Sequence, residues 1–397
     1  MARTVAPHRS RLSGKLSLMS TAIRTGADRT LELLGRQVGR PLSEVETPVA
    51  VVDLDRLGAN LKDLQFYVDA HGITLWPHTK THKSPEIGLR QLELGAVGLT
   101  VAKTGEAEVF QEAGASRILV HYPPFGVDKW ERLARIAAEG VDLTVAIDSL
   151  APAEGLSAAL ARHGTRATLL VELDVGLHRT GQTTSAAALT LAQSLSHLSA
   201  VEVVGISCYP GHLQGDPAGI RRNVVAVDEL LRETRDAFSA SGIRCDRISG
   251  GSTPSRYLTH ETCVNELRSG TYALLDRVVS GDELEKCALR VVVTVVSDAV
   301  PGQIVVDAGS KTLTSDDHPD GGHGAIVGWP GARLHTINEE HGYVDVSSLN
   351  ERPAVGDQLQ IVPNHACGCV NLHDGLLGVR DGVVDHVIAV SARGLVR

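Results

Sequence analysis

The chain has 397 residues, which is enough to bury a large core and predicts two domains. The formal net charge of −9, with no obvious basic face, argues against a nucleic-acid partner. The longest apolar runs are shorter than the roughly 18 residues that a membrane-spanning helix requires, so we expect no membrane partner either.

Residues 1–44 are predicted to be a basic, flexible extension. Up to about residue 40 it holds eight Lys and Arg against two acids, Asp28 and Glu32. No apolar segment follows the basic start, which argues against a secretory signal and leaves a targeting peptide as the less favoured alternative. Six cysteines in no CxxC pair then favour reduced thiols and a cytoplasmic protein.

From Thr47 onward, short β-branched apolar runs alternate with helical segments, which is typical of parallel strands covered by crossover helices. The predicted strands are residues 49–54, 73–75, 97–101, 118–120, 143–147, 169–173, 201–206 and 247–249. Eight such units predict a (β/α)8 TIM-like barrel over residues 45–288. A doubly wound open sheet is the alternative, and the absence of a GxGxxG motif after the first strand disfavours it.

Near Arg290 the pattern changes to strands separated by short Gly/Pro turns, without long helices. These strands are residues 291–296, 303–307, 342–346 and 358–362. The pattern predicts an all-β second domain over residues 289–397. The predicted fold class is therefore α/β, with a TIM-like barrel followed by a smaller all-β C-terminal domain.

A basic octapeptide, residues 76–83, lies between the predicted strand 73–75 and a predicted helix. In barrels of this kind, chemistry is placed on the loops that follow the strands. A lysine there, flanked by other cations and partly desolvated, has a lowered pKa and a nucleophilic amine. Lys80 and Lys83 are the candidates, and a solvated basic loop is the alternative.

The sequence of residues 77–86, Pro-His-Thr-Lys-Thr-His-Lys-Ser-Pro-Glu, resembles the cofactor-lysine segment of the D-threonine aldolase and D-serine dehydratase family. Members of that family are pyridoxal-phosphate enzymes with an alanine-racemase-like barrel and a β domain, and the similarity extends over about residues 45–397. The resemblance implies that Lys80 binds the cofactor and that His78 belongs to the catalytic site. The chain differs at Trp76, where the family usually has arginine, so we expect a charge to be lost near the cofactor.

A glycine- and hydroxyl-rich loop follows the predicted strand 247–249. Glycines let backbone N–H groups approach a phosphate and hydroxyls add donors, although a plain turn is the alternative. By resemblance, the residues that hold the phosphate are Gly251, Ser252, Thr253, Gly270 and Tyr272. The first and last of these are expected to act mainly through the backbone.

Arg179 and Tyr209 follow two other predicted strands. From the residues alone, Arg179 could instead pair with Asp174, and Tyr209 could be an ordinary strand-end tyrosine. The resemblance implies that the Arg179 guanidinium approaches the phenolic oxygen of the cofactor, as a catalytic residue, and that the Tyr209 hydroxyl reaches the pyridine nitrogen. A phenol cannot keep that nitrogen protonated, so such a site benefits from a second electrophile.

The sequence His-x-Cys at His365 and Cys367 is predicted on a strand of the second domain, where alternate side chains share one face. An imidazole and a thiolate together favour zinc over magnesium or calcium, although packing without a metal is the alternative. The family has a metal pair at this location, so the resemblance implies a divalent metal, zinc or else manganese, held by these two residues. Cys369 is a less favoured ligand.

The resemblance implies a lyase that acts on a D-3-hydroxy amino acid. Retro-aldol cleavage of the D-threonine aldolase type is favoured over dehydration of the D-serine dehydratase type. An amino-acid racemase would leave the His-x-Cys pair without a function, and a non-catalytic pyridoxal-phosphate carrier would also leave the second domain without one. The family further implies a homodimer.

Overall fold

The structure, a computed structural model, describes residues 25–213, 217–281 and 283–397. In chain order, the strands are β1 (Val49–Asp53), β2 (Thr74–Leu75), β3 (Leu99–Val101), β4 (Arg117–Val120), β5 (Asp142–Ile147), β6 (Ala167–Leu173), β7 (Val201–Cys208), β8 (Arg247–Gly250), β9 (Glu266–Leu267), β10 (Leu289–Ser297), β11 (Gln303–Val306), β12 (Gly324–Ile326), β13 (Arg333–Ile337), β14 (Gly342–Asp345), β15 (Gln358–Pro363), β16 (Gly375–Arg380) and β17 (Val383–Ala389). The α-helices span Gly26–Gly35, Leu54–Ala70, Pro85–Glu93, Thr104–Glu112, Val127–Ala138, Leu150–Arg162, Ser185–Leu195, Pro217–Ala240, Arg277–Ser280, Ser310–Leu313 and Ala366–Val370.

Strands β2 to β9 form one parallel sheet, in the order β2-β9-β8-β7-β6-β5-β4-β3. Two backbone hydrogen bonds link its ends: Val97 N–H donates to Leu75 O and Thr100 N–H to Pro77 O, both at 2.9 Å. The sheet therefore curls into a barrel, with amphipathic helices packed on its outside. Together with the antiparallel sheet of the second domain, this confirms the predicted fold class.

The second sheet runs in the order β13-β14-β11-β10-β1-β16-β17, and β15 pairs with both β10 and β12. The expectation that residues 49–54 begin the barrel is wrong, because β1 pairs antiparallel with β10 and parallel with β16. The eighth barrel strand is instead β9, whose two residues are too few to show a periodic pattern. A strand that is buried on both faces is a continuous apolar run in the sequence, whichever sheet it belongs to. Hydrophobic periodicity therefore cannot tell to which of the two sheets such a strand belongs.

The helix Leu54–Ala70 joins the two sheets through a shared core. Asp53 caps its start by accepting a hydrogen bond from Arg56 N–H at 2.9 Å. The apolar side chains of the helix recur every three or four residues and pack in one cluster with Leu75 of the barrel and Val291 of β10. These helix residues are Leu57, Leu61, Leu64 and Val68. Continuous packing of this kind holds the second domain in place against the barrel.

The predicted N-terminal extension lies partly outside the described residues, which begin at residue 25. Its described part contains the helix Gly26–Gly35. The side chains of Leu31 and Leu34 lie directly against Gly375 of β16. This end of the chain therefore packs on the second sheet.

Trp76, where the resemblance leads us to expect arginine, is buried inside the barrel. The guanidinium of Arg247 lies over its ring, 4.8 Å from the centroid. Gly98 makes room for the indole, since a Cβ at that position would lie 2.4 Å from Trp76 Cζ3. The apolar neighbours of the ring are Leu119, Leu170 and Val204. Because Trp76 lines neither of the cavities described below, the substitution changes the barrel interior rather than a cavity wall.

None of the helices in the described part of the chain combines the length and the apolar character needed to cross a bilayer. All six cysteines lie within the described residues and are free. Five of them, among them Cys208 and Cys287, have pKa values raised by burial to about 11 or above. These five thiols are therefore protonated near neutral pH.

Replacing Gly98 by alanine is expected to destabilise the barrel, because the new Cβ would lie 2.4 Å from Trp76 Cζ3 and 2.9 Å from Arg117 Cβ. Overpacking of this kind costs about 1–3 kcal/mol. The measurement is the free energy of unfolding in urea. Gly58→Ala is the matched control: nothing lies within 4 Å of an added Cβ in that helix, so a gain of about 0.5–1 kcal/mol is expected. A Gly98→Ala protein as stable as the Gly58→Ala protein would contradict this packing.

Candidate active site

Two cavities open where the barrel strands end, with volumes of about 430 Å³ and 270 Å³. They share four lining residues, each from a segment that follows a barrel strand or helps to close the sheet: His78, Lys80, Tyr209 and Arg268. The larger cavity continues from these residues to the second domain. This is the end of a parallel barrel at which catalytic residues gather.

Lys80 lies in a short 3₁₀ turn, Thr79–Thr81, that follows β2. Its Nζ is 5.2 Å from the centroid of the Tyr209 ring, and it lines both cavities. His78 supports the turn, since its Nδ1 accepts a hydrogen bond from the Lys80 backbone N–H at 3.4 Å. The lysine amine is thus presented between the two cavities from a hydrogen-bonded turn.

Lys83, the other lysine of the segment, belongs to a buried ion pair. Its Nζ lies 3.2 Å from Glu106 Oε1, and both side chains are almost fully buried. Its backbone carbonyl accepts a hydrogen bond from Ala392 N–H at 3.0 Å. Lys83 lines neither cavity, so Lys80 is the lysine of this segment that faces open space.

A buried polar layer lies beneath Lys80 inside the barrel. Arg268 donates hydrogen bonds to Ser249 Oγ at 2.6 Å, to Cys208 O at 2.5 Å and to His121 Nε2 at 2.9 Å. Burial and the nearby cations, among them Arg268 and Lys80, hold the pKa values of His78 and His121 well below the usual range. Both imidazoles are therefore neutral near pH 7, and His121 must accept rather than donate at Nε2.

Sequence reasoning missed three residues of this layer: His121, Glu172 and Arg268. Glu172 is buried, and burial raises its pKa; it accepts a hydrogen bond from Thr180 Oγ1 at 2.9 Å. A signal existed for each of them. A lone glutamate interrupts the apolar run 169–173, and His121 and Arg268 directly follow predicted or observed strands.

Arg179 and Tyr209 come together at the smaller cavity. The Arg179 guanidinium lies 4.7 Å from the centroid of the Tyr209 ring, and its Nη2 is 4.0 Å from Glu172 Oε1. The alternative pairing of Arg179 with Asp174 is wrong, because Asp174 accepts hydrogen bonds from His178 N–H and lies 2.9 Å from its Nδ1. Arg179 is thus directed toward the cavity side of the strand ends.

The predicted phosphate-binding residues are split by the structure into two groups. Ser252, Thr253 and Gly270 line the larger cavity. Gly251 has φ of +82°, which only glycine adopts readily, and Leu267 Cδ1 would lie 2.4 Å from a Cβ there. The Tyr272 side chain is buried in the core, where its hydroxyl accepts a hydrogen bond from Gln91 Nε2 at 3.0 Å. Neither Gly251 nor Tyr272 is among the residues that line the larger cavity.

Gly270 is required by a close contact with the lysine segment. A Cβ at this position would lie 2.7 Å from His78 O and 3.1 Å from Thr81 Oγ1. The Thr253 and Ser269 hydroxyls, 2.8 Å apart, join the two loops that carry the predicted phosphate donors. These loops and the lysine segment are thus fixed relative to one another.

The His-x-Cys pair is not on a strand, so that prediction is wrong. β15 ends at Pro363, and His365 is the N-cap residue of the helix Ala366–Val370. The Asn364 side chain ends the ladder by donating to Asp316 O at 2.9 Å and Gly322 O at 2.7 Å. Side-chain hydrogen bonds of this kind replace ladder bonds and turn the chain.

The side chains of His365 and Cys367 nevertheless meet. Their hydrogen bond raises the pKa of His365 to about 9, and it lowers the pKa of Cys367 despite the opposing effect of burial. Thr81 Oγ1 lies 3.2 Å from Cys367 Sγ, which ties the pair to the lysine segment. His365 itself lines the larger cavity, with Asp316 Oδ2 3.2 Å from its Nδ1.

Cys369 faces away from this pair. It is fully buried, its Sγ donates to Thr312 O at 3.3 Å, and burial raises its pKa to about 12. Across residues 25–213, 217–281 and 283–397, no group of three or more His, Cys, Asp and Glu side chains is arranged to hold a metal ion. The donors that meet at the cavity are thus one imidazole and one thiol of lowered pKa.

Residues 52–277 match the family model described as the alanine racemase N-terminal domain, and residues 288–379 match a serine dehydratase domain. The chain is 37% identical to a D-threonine aldolase of Arthrobacter sp., over 91% of this chain and 96% of that protein. It is 33% identical to a 3-hydroxy-D-aspartate aldolase of Paracoccus denitrificans, over 90% of this chain and 94% of that protein.

A solved structure of D-threonine aldolase from Filomicrobium marinum has the same fold. It superposes with a TM-score of 0.85 at 31% identity and covers 91% of this chain and 99% of that one. The likeness spans both the barrel and the second domain, and the matches support pyridoxal phosphate as the cofactor of the family. The chain therefore belongs to the D-threonine aldolase and D-serine dehydratase family, whose barrel is of the alanine racemase type.

Proposed function

We propose that this protein is a pyridoxal-phosphate-dependent lyase that cleaves D-3-hydroxy amino acids by a retro-aldol reaction of the D-threonine aldolase type. The observation that carries the proposal is the position of Lys80 in a cavity whose other end is lined by His365 of the His-x-Cys pair. The 37% identity to a D-threonine aldolase over nearly the whole chain supports the same reaction.

The residues present fit pyridoxal phosphate. The Lys80 amine would hold the aldehyde carbon, and Ser252, Thr253 and Gly270 would hold the phosphate. Gly270 supports this assignment, because a glycine in the cavity wall can offer only its backbone to a phosphate. Arg179 and Tyr209 would contact the ring. When bound, the cofactor supplies an electron sink for the bond broken at Cα.

The reaction requires two proton transfers, one at the Cβ hydroxyl and one at Cα. In a retro-aldol cleavage, the Cβ hydroxyl loses a proton, which would pass to water at the His365 end of the cavity, and Cα gains a proton as the Cα–Cβ bond breaks. Lys80 Nζ is the basic group on the barrel side of the cavity and would move the proton at Cα. His78 and His121, held neutral by burial, leave Arg179 and Arg268 as the cations that would orient anionic groups.

We further propose that His365 and Cys367 bind a divalent metal ion, zinc or else manganese. The lowered pKa of Cys367 supports a thiolate, which is the form that binds metal. Thr81 fixes the thiol from the barrel side. A divalent ion held there would supply Lewis-acid chemistry.

Dehydration of the D-serine dehydratase type is the second candidate. The match of residues 288–379 to a serine dehydratase domain favours it, and it would use the same residues. Lys80 would then remove the Cα proton, and hydroxide would leave from Cβ. An amino-acid racemase or a carrier protein would use no metal pair, so the His365–Cys367 contact disfavours both.

A homodimer is also part of the proposal. Apolar side chains are exposed where the chain leaves β4, next to the smaller cavity: Tyr122, Phe125 and Val127 are 40%, 64% and 63% exposed. Tyr122 lines that cavity, so a second subunit packed on these side chains would lie at its rim. Burial of such a surface is a common reason for association.

Incubation of the holoenzyme with D-threonine is expected to produce glycine and acetaldehyde in equal amounts. Dehydration would instead produce 2-oxobutyrate and ammonia, and racemisation at Cα would produce L-allothreonine. Quantifying all five products by chromatography tests the proposed reaction. Formation of 2-oxobutyrate with no glycine would establish the dehydratase instead.

Lys80→Ala is expected to abolish both activity and the visible absorbance that bound pyridoxal phosphate gives the protein, because the amine that holds the aldehyde is lost. Lys83→Gln is the matched control in the same segment. It is expected to retain the absorbance although it weakens the buried pair with Glu106. Loss of colour in Lys83→Gln and its retention in Lys80→Ala would reverse the assignment.

Cys367→Ala is expected to lower the bound zinc or manganese, measured by elemental analysis after dialysis, by at least about tenfold. Cys369→Ala changes the same residue type two positions away, and its thiol faces the core. It is expected to keep the metal while losing some stability. Equal metal content in the two variants and the wild type would exclude Cys367 as a ligand.

A further inference from the structure

The imidazole of the His-x-Cys pair is in contact with a carboxylate from a different loop. Asp316 Oδ2 lies 3.2 Å from His365 Nδ1, and both residues line the larger cavity. Asp316 belongs to the loop between the helix Ser310–Leu313 and β12, whereas His365 is the N-cap residue of the helix Ala366–Val370. The contact therefore depends on how this loop is held against that helix.

Two contacts hold the loop against the start of the helix. The Asn364 side chain donates hydrogen bonds to Asp316 O at 2.9 Å and to Gly322 O at 2.7 Å, so two points of the loop are bound to the segment that follows β15. Gly368 packs against the loop, because a Cβ there would lie 3.0 Å from Asp316 Oδ2 and 2.8 Å from Thr314 Cγ2. The backbone thus brings the Asp316 carboxylate to the imidazole.

Thr314 orients the carboxylate itself. Its hydroxyl donates to Asp316 Oδ2 at 3.0 Å and accepts a hydrogen bond from Asp316 N–H at 3.2 Å. Thr314 has φ of +79° and ψ of 170°, a conformation that is essentially restricted to glycine. A strained residue of this kind persists where its surroundings fix it, and such residues cluster at functional sites. Glycine would relieve the strain but has no hydroxyl for Asp316.

The other two carboxylates of this cavity wall face backbone amides. Asp276 accepts hydrogen bonds from two backbone N–H groups, at 3.0 Å and 2.9 Å. Asp317 accepts one from the N–H of the next residue at 2.9 Å. Asp316 is therefore the carboxylate of this wall that contacts the His365 imidazole.

A carboxylate beside Nδ1 favours one tautomer of the imidazole. A carboxylate can only accept a hydrogen bond, so it favours the tautomer with the proton on Nδ1. The lone pair is then on Nε2, which is the atom through which such a histidine binds a metal ion. In metal sites, a partner of this kind fixes the orientation of the ring and raises the basicity of the ligand.

We propose that Asp316 is a positioning residue of the metal site: it holds the His365 imidazole with the proton on Nδ1 and leaves Nε2 to bind the divalent ion. The inference rests on the proposed function, since it requires the metal pair His365 and Cys367. Among the residues that the structure describes, no three His, Cys, Asp or Glu side chains are placed to share one ion. This supports a contact of Asp316 with the ligand and not with the ion.

The test measures zinc binding by the full chain loaded with pyridoxal phosphate. Asp316→Asn is expected to raise the dissociation constant of zinc about tenfold, measured by competition with a chromogenic chelator. This is the lower end of the usual effect, because the His365 and Asp316 side chains are 49% and 47% exposed and water can replace part of the contact. Excess zinc is expected to restore the activity of this variant, because it loses affinity for the ion and no group that touches the substrate.

Asp317→Asn is the matched control, since it removes the same charge from the next residue of the loop and of the cavity wall. Its carboxylate faces the backbone, and the residue is exposed. Because an exposed charge is screened by salt, this variant is expected to keep the wild-type dissociation constant to within about twofold.

Thr314→Gly removes the hydroxyl that orients Asp316 and relieves the strained backbone. It is expected to weaken zinc binding about three- to tenfold. In the protein loaded with pyridoxal phosphate but without metal, it is expected to raise the urea concentration at which half of the protein is unfolded. A purely structural role of the loop would instead change stability and zinc affinity in the same direction.

The outcomes separate this inference from the proposed function. If the variants follow the expected order of zinc binding but the wild type does not cleave D-threonine, the positioning by Asp316 stands and the proposed reaction fails. If Asp316→Asn binds zinc no more weakly than Asp317→Asn, the inference is overturned even when D-threonine is cleaved. Loss of zinc as complete as in Cys367→Ala would make Asp316 a ligand and would also overturn it. A wild type that binds neither zinc nor manganese would overturn the metal pair and this inference together.

Discussion

The contact between Thr81 and Cys367 is the constraint on which the site depends, because it joins the lysine segment of the barrel to the short helix of the second domain. The two side chains lie 3.2 Å apart although 286 positions separate them in the chain. Together with the shared apolar core around the helix Leu54–Ala70, this contact fixes the lysine segment relative to the second domain. The amine of Lys80 and the imidazole of His365 therefore line the same cavity, and Cys367 lies next to it.

Burial in the barrel sets the charge of the groups below that space. His78 and His121 lie in a layer with Arg268, and desolvation keeps both imidazoles neutral. Arg268 is held by Ser249, Cys208 O and His121, so its positive charge stays fixed under the cavity. The fixed cations of the barrel thus favour anionic groups at that end of the cavity.

Several features could be predicted because they depend on local patterns. The alternation of apolar strands and helices indicated the barrel, and the segment around Lys80 indicated the site. The assignment of β1 to the barrel failed because a buried apolar run does not specify its partner strand. The layer of His121, Glu172 and Arg268 was missed because each residue gains its environment only when distant strands align.

By itself, the sequence determined the two-domain architecture, the family and the candidate lysine, since these depend on periodicity and on contiguous motifs. Only the tertiary structure decided that β1 belongs to the second sheet and that His365 caps a helix instead of lying on a strand. It also decided that Trp76 fills the barrel interior. The physical reason is that pairing, burial and charge at these positions come from residues remote in the chain, which no local pattern contains.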